Sequence, residues 1–396
     1  MKKSIAILLI AAAFLTGIAA DMAARGLAAA SAPSHSVLAS AVPESPALKK
    51  AREVYAVLET CYIGELDEEV MSDTVSAAMV YATGDRWSYY ISAEELETHM
   101  EQVNNRYVGI GVTVEMTEEG LCRVIEVNPT GPACEAGIQP GDIFAVVDGT
   151  DCAGMSLTEL SNIVRGDEGT TVEITMLRVS ERIDYTIERR QVQTVVVSEK
   201  MLGDVGYIAI YNFDTGSADK AIAAVESLRG QGARALLFDV RYNPGGLKSE
   251  LLDLLDYLLP EGVLFRSQDY QGRQSVDKSD ASCVDLPMAV LVNQDSYSAA
   301  EFFAAALSEY GVAKTVGTQT CGKGYFQVTQ MLSDGSAINL SIGKYFTPKG
   351  VSLADVGGLT PDVVVELSEE DAIDLAMHRL APEDDEQLQA ALGQLP

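Results

Sequence analysis

Two short segments of this chain carry residue types that could do nucleophilic chemistry. The first is DSYSAAEF, 295–302, directly after an apolar stretch that reads as a buried strand. Ser298 stands where that strand would turn into a helix. Such a turn presents the hydroxyl and leaves the Ala299 N–H free to stabilise an oxyanion. The same Ser298-x-x-Glu301 spacing makes a helix capping box, which needs no catalysis. The second segment is TCGKGYFQ, 320–327. Lys323 lies between Gly322 and Gly324, and glycines there let the backbone pass close to another segment. A lysine acts as a base only when neutral, so it must be desolvated. A solvated hairpin lysine is the plain alternative. A third segment, NPGG at 243–246, follows another apolar strand. Its glycine N–H groups could complete an oxyanion hole or form an ordinary turn.

Histidine is the informative absence. The chain has three, His35, His99 and His378, and none falls in the region that holds these segments. A Ser–His–Asp triad or a Cys–His pair would have to borrow from a flanking segment, and a histidine-based metal site is equally unsupported. Six cysteines, at 61, 122, 134, 152, 283 and 321, show no C-x-x-C spacing for structural zinc. They allow fifteen pairings, among which sequence cannot choose; a small buried thiol is the commoner role. No cofactor is expected. A net charge of −30 disfavours nucleic acid and adhesion to an anionic membrane.

The elements that must position these residues follow from periodicity. Lys2 and Lys3 precede an apolar run from Ile5 to Ala20, the pattern of a secretory signal or membrane anchor, assigned to 1–30. The chain is therefore expected outside the cytoplasm, secreted or anchored to the outer face of the cytoplasmic membrane. Residues 31–46 have a linker composition. Helical spacing runs through 47–82 and again near 93–104. Strands are expected at 108–114, 122–127, 171–178 and 183–188, with a helix at Leu157–Val164, making a compact unit. From about 200, strands at 205–210, 234–240, 288–293 and 313–317 alternate with helices at 218–229, 247–259 and 299–309. That alternation implies parallel β-α crossovers. Segments 325–331 and 336–342 read as an added hairpin with SDG as its turn.

In combination the motifs match a known family. RYNPGG, DSYSAAEF and TCGKGYFQ, with YFTPKG (345–350) and GLTPD (358–362), resemble the C-terminal processing peptidases, the tail-specific serine proteases. YVGIGVTV, NPTGPACEAGIQPGD and VRGDEGT resemble their inserted PDZ domain; GDRWSYYIS (84–92) and DDEQLQAAL (384–392) also look like family segments. The resemblance implies a multidomain α/β fold: a ClpP/crotonase-like β-α core, an inserted PDZ-like β domain and N-terminal helices. The expected boundaries are 47–106 helical, 107–190 PDZ-like, 191–380 protease core and 381–396 a C-terminal segment. It implies Ser298 as nucleophile, Lys323 as general base and Gln327 as the residue that orients the lysine. Gly245, Gly246 and Ala299 align with the oxyanion region. Gly109, Ile110, Gly111 and Val112 would cup a peptide carboxylate, with the next strand pairing by β-augmentation; without the resemblance they read as an ordinary strand start. Arg165 is a candidate contact between domains. Two departures stand out: Tyr297 and Ala300 replace the usual Ala and Ser, and Cys321 replaces Phe.

The implied function is a serine endopeptidase that takes exported proteins or peptides with accessible C-terminal tails, with a possible homodimer and membrane contact only through the N-terminal segment. A PDZ scaffold without activity, and a crotonase-like acyl-transfer enzyme, are the alternatives; the intact Ser298, Lys323 and Gln327 set argues against the first.

Overall fold

Strands ALLFD (Ala235–Asp239) and MAVLV (Met288–Val292) are buried at every position. Strands apolar on both faces belong inside a parallel sheet covered by helices. That is where the computed structural model, which describes residues 45–117, 119–377 and 379–396, puts them. The sheet has six strands, in the order Val197–Leu202, Val205–Ile210, Ala235–Asp239, Met288–Val292, Ala313–Gly317, Val363–Val364. Pairings from Val205–Ile210 onward are parallel, as the alternating pattern requires. Helices Ser217–Gly230 and Ala299–Tyr310 pack on the sheet, with Lys248–Leu258 between them, and Phe303 meets Phe213 and Phe238. The C-terminal helix Glu386–Leu392 packs on strands Met288–Val292 and Ala313–Gly317, burying Leu388 and Ala391 against Leu237 and Leu291. Arg241 ties that helix down. Its buried guanidinium is shared between Asp239 (2.6 Å) and Asp385 (2.8 Å).

The described residues form two compact units, Glu101–Ser198 and the rest of them. The larger unit holds a second, antiparallel sheet that the sequence reading only half anticipated. The expected hairpin, Tyr325–Met331 with Ala337–Phe346, is there, but the second strand runs on to Phe346. It continues into strands Gly262–Asp269 and Gln274–Ser279, which have no clear period-2 apolar pattern, and is bordered by Tyr89–Ile91. Helices Pro46–Cys61 and Glu68–Tyr81 bury no side chain, leaving Val54, Val57, Val75 and Met79 exposed. The expected signal or anchor at 1–30 lies outside the described residues, as does nearly all of the linker. Among the described residues no helix is long and apolar enough to cross a membrane.

The smaller unit is a sheet with a strand order of Val112–Met116, Cys122–Val127, Ile143–Val147, Thr171–Arg178, Glu181–Glu188. Its core includes Phe144, Leu160, Ile174 and Met176. Helix Leu157–Val164 matches the expectation in full, capped by Ser156. The single strand expected at 108–114 is broken in two, Arg106–Gly109 and Val112–Met116. Gly111 takes φ +84°, and the Ile110 and Gly111 carbonyls accept from Ala133 and Asn128 instead of a neighbouring strand. No disulfide joins the six cysteines; Cys122 and Cys152 are small buried thiols.

Candidate active site

Ser298 precedes helix Ala299–Tyr310 with φ 57° and ψ −121°, a region a non-glycine residue rarely occupies. Such strain persists only where the surroundings enforce it. Here the Ser298 N–H donates to Glu301 Oε1 (3.1 Å) and the Tyr297 N–H to the Asn243 carbonyl (3.2 Å). Gly245 presses against the turn. A Cβ there would lie 2.7 Å from Ser298 Cβ and 2.8 Å from the Ala299 nitrogen, so any side chain would displace the serine. The Gly245 N–H is engaged by Asn243 Oδ1 at 2.8 Å. Ser298 is 1% exposed and its Oγ makes no hydrogen bond.

Lys323 arrives on the loop between strands Ala313–Gly317 and Tyr325–Met331. Its flanking glycines do what their type suggested. A Cβ on Gly322 would meet the Gly357 backbone at 2.8 Å, and one on Gly324 the Ala354 side chain at 2.6 Å. The lysine is 3% exposed. Its Nζ faces aromatic rings, 4.8 Å from the Trp87 centroid and 5.8 Å from that of Tyr297. Desolvation lowers its pKa to about 8, against the opposing pull of the Glu301 charge. Gln327 is fully buried. Its Nε2 donates to the Tyr325 carbonyl (3.1 Å) and Ser341 Oγ (3.0 Å), while Oε1 has no partner.

Glu301 joins the two loops. Its Oε1 accepts from the Ser298 and Lys323 N–H groups (3.1 and 2.7 Å), and its Oε2 from Thr320 Oγ1 and the Gly322 N–H (2.8 and 2.9 Å). Burial pushes the carboxyl up to about 7 even so. The sequence marked Glu301 only as a helix cap; nothing local announces that its carboxylate reaches 22 residues on. Trp87 and Arg86 were also missed as neighbours of the lysine. Trp87 stacks on Tyr297 at 5.7 Å, and Arg86 donates to Cys321 Sγ at 3.3 Å. Of the three departing residues, Tyr297 and Cys321 thus lie beside Lys323.

The remaining expected residues divide between the units. Gly246 lies against the Phe213 backbone, where a Cβ would sit 2.3 Å from a carbonyl carbon. In the smaller unit, Gly109 ends one strand, Ile110 is buried in the core, and Val112 opens an edge strand beside helix Leu157–Val164. Arg165 is exposed; it sits 3.7 Å from Glu101 and over the Tyr107 ring, both in that same unit. No cluster of His, Cys, Asp and Glu suited to a metal occurs among the described residues.

A profile of peptidase family S41 matches residues 204–365, and a PDZ domain profile matches 123–178. The chain is 32% identical over 323 residues to a Staphylococcus aureus (strain N315) protein named "Probable CtpA-like serine protease". That match covers 81% of this chain and 65% of the relative's length. A Staphylococcus epidermidis (strain ATCC 12228 / FDA PCI 1200) protein of the same name is 31% identical, with 80% and 65% coverage. A solved structure described as an S41 protease of Bacteroides fragilis NCTC 9343 shares the fold. Its TM-score is 0.55 at 17% identity, over 80% of this chain and 89% of that one. These matches, an S41 peptidase region beside a PDZ domain in a chain spanning 65% of the length of its CtpA-like relatives, are those of the C-terminal processing peptidase family.

Proposed function

We propose that the chain is a serine endopeptidase working through Ser298 and Lys323, with Gln327 orienting the lysine. One observation carries the reading: a lysine with no ion-pair partner, buried and with a lowered pKa, shares a carboxylate clamp with a strained serine at a helix N-terminus. In the resting arrangement Ser298 Oγ and Gln327 Oε1 are buried without partners, while the amine rests on Trp87. A neutral amine has one lone pair and two N–H donors, so it can accept from the serine hydroxyl and donate to the amide oxygen. Swinging Lys323 off the Trp87 ring satisfies both orphaned atoms at once and arms the nucleophile. The hydroxyl then attacks the peptide carbonyl, and its proton passes to the amine and on to the leaving nitrogen. The acyl-enzyme is released by water with the same base. Ala299 and Gly246 N–H groups stabilise the oxyanion; Gly245 shapes the turn.

The smaller unit binds substrate tails. Its edge strand Val112–Met116 has one side free for β-augmentation, and the Gly109–Val112 turn offers backbone N–H groups for a terminal carboxylate. Both its ends are tied to the catalytic unit, so tail binding could shift a resting–active equilibrium, with Arg165 as a candidate contact. Substrates are exported or envelope proteins. The uncovered apolar faces of the two N-terminal helices support a homodimer. Hydrolysis of casein by wild-type protein, Ser298→Ala and Lys323→Ala tests the dyad: turnover by a folded Ser298→Ala protein would overturn it.

A further inference from the structure

Beside the lysine lies a cleft of about 700 Å³ whose walls include Arg86, Trp87, Asp269, Tyr270, Tyr325 and Lys344. It shares Trp87 with the site described above. The Trp87 indole that forms part of this wall also carries Lys323 Nζ and stacks on Tyr297, the residue before Ser298. The charges of the cleft are unequally served. Asp269 is held by Arg273 (2.6 Å) and by two backbone N–H groups. Asp85 accepts from the Trp87 N–H and Ser88 Oγ. Lys344 lies 3.4 Å from Asp355 and over the Tyr325 ring. Arg86 alone of these has no carboxylate. Its guanidinium lies 4.2 Å over the Trp87 ring and spends one N–H on Cys321 Sγ.

That arrangement is a prepared anion site. A guanidinium has five N–H donors in a planar fork that fits a carboxylate with two parallel bonds. Stacking on the indole leaves the fork's edge available while fixing its plane. In a chain of net charge −30, exposed Arg86 lines this cleft with no carboxylate in ion-pair reach. We propose that Arg86 receives a carboxylate of the bound peptide, an acidic side chain near the scissile bond or the terminal carboxylate of a short tail. This rests on the peptidase reading, since it names a substrate feature for the same site.

The test separates the two readings by measuring binding without turnover. The full chain carrying Ser298→Ala is titrated with three probes: acetyl-Ala-Ala-Glu-Ala-Ala-amide, its Gln counterpart, and the Gln peptide with a free terminal carboxylate. Trp87 is the chain's single tryptophan, so the fluorescence signal comes from this one side chain; calorimetry runs in parallel. A charge-assisted pair is worth about a tenfold tighter dissociation constant. The Glu peptide or the free-acid peptide should bind about tenfold more tightly than the Gln amide, and which of them does identifies the source of the carboxylate. Arg86→Gln in the same background should erase the preference while leaving binding of the Gln amide. Equal affinity for all three probes, absence of binding, or a preference that survives Arg86→Gln overturns the proposal. Loss of hydrolysis in wild-type protein would instead strike the peptidase reading and leave this measurement standing.

Discussion

Glu301→Gln is the most searching perturbation of the site, because one carboxylate holds four donors from the serine turn and the lysine loop. An amide keeps one acceptor and gains an N–H₂. Two of the donors, Ser298 and Lys323 N–H, converge on Oε1 and cannot reverse, so the amide oxygen must stay there. Its nitrogen then takes the place of Oε2, facing Thr320 and the Gly322 N–H. The threonine hydroxyl can turn to accept; the Gly322 N–H cannot, and is left unsatisfied. One buried unsatisfied donor costs about 1–3 kcal/mol. The larger signature is in the pH profile. The Glu301 charge holds the Lys323 pKa up, and with that carboxyl at about 7 it is ionised across a lysine limb near 8. Removing it makes the ammonium still less favourable, so the acid limb of kcat/KM must move to lower pH even as the maximum rate falls. The stability change has its own sign. A carboxyl whose folded pKa is raised from 4.5 to about 7 stabilises the fold fully below 4.5 and loses that contribution as pH rises to 7. The deficit of Glu301→Gln should therefore be larger at pH 4.5 than at pH 8, read by urea unfolding. An acid limb that stays put or moves upward would refute the reasoning.

Other outcomes follow from the same geometry. Lys323→Ala should match Ser298→Ala in abolishing hydrolysis, since members of one unit fail together; casein turnover with circular dichroism as a folding control measures it. Wild-type kcat/KM should rise with pH through about 8, the lowered lysine pKa, and a limb centred near pH 4 would point to a carboxylate base. Arg241→Met leaves Asp239 and Asp385 buried without their cation and should destabilise the larger unit by about 3–5 kcal/mol in urea unfolding. A non-cleavable C-terminal peptide added in trans should stimulate hydrolysis of a short untailed reporter; saturable binding without stimulation would make the smaller unit a tether only.

The parallel core was legible because strands buried on both faces and helices with one apolar stripe leave strong periodic traces: 205–210 and 313–317 fall on their expected residues. Gly262–Asp269 and Gln274–Ser279 were not, since GVLFRSQD and QSVDKS mix polar residues onto both faces; the two pair with each other, and the first is held by the distant strand Ala337–Phe346. The segments around Ser298 and Lys323 could be found by residue type and glycine placement. What surrounds them could not. Glu301 hides within a capping pattern, and Trp87 is more than 200 residues from the lysine it faces. Local spacing encodes local geometry; a contact made by tertiary folding leaves no period to detect.

The pairing of segments 86–91 and 321–341 has a consequence for how the protein is born. Strand Tyr89–Ile91 docks on Ala337–Asn339, the Ser341 N–H donates to Ser88 Oγ, and Arg86 reaches Cys321. These contacts span more than 230 positions, so their loop-closure entropy is met late in folding. A chain emerging from the ribosome carries its Trp87 segment first and must hold it unpartnered until residues beyond 340 follow. The parallel strands from Val205–Ile210 to Ala313–Gly317 can pair earlier, but the wall that desolvates the lysine cannot form. Under the proposed serine–lysine chemistry, a partly made chain has a serine without a working base, and stays silent towards its own unfolded segments until the residues beyond 340 are in place.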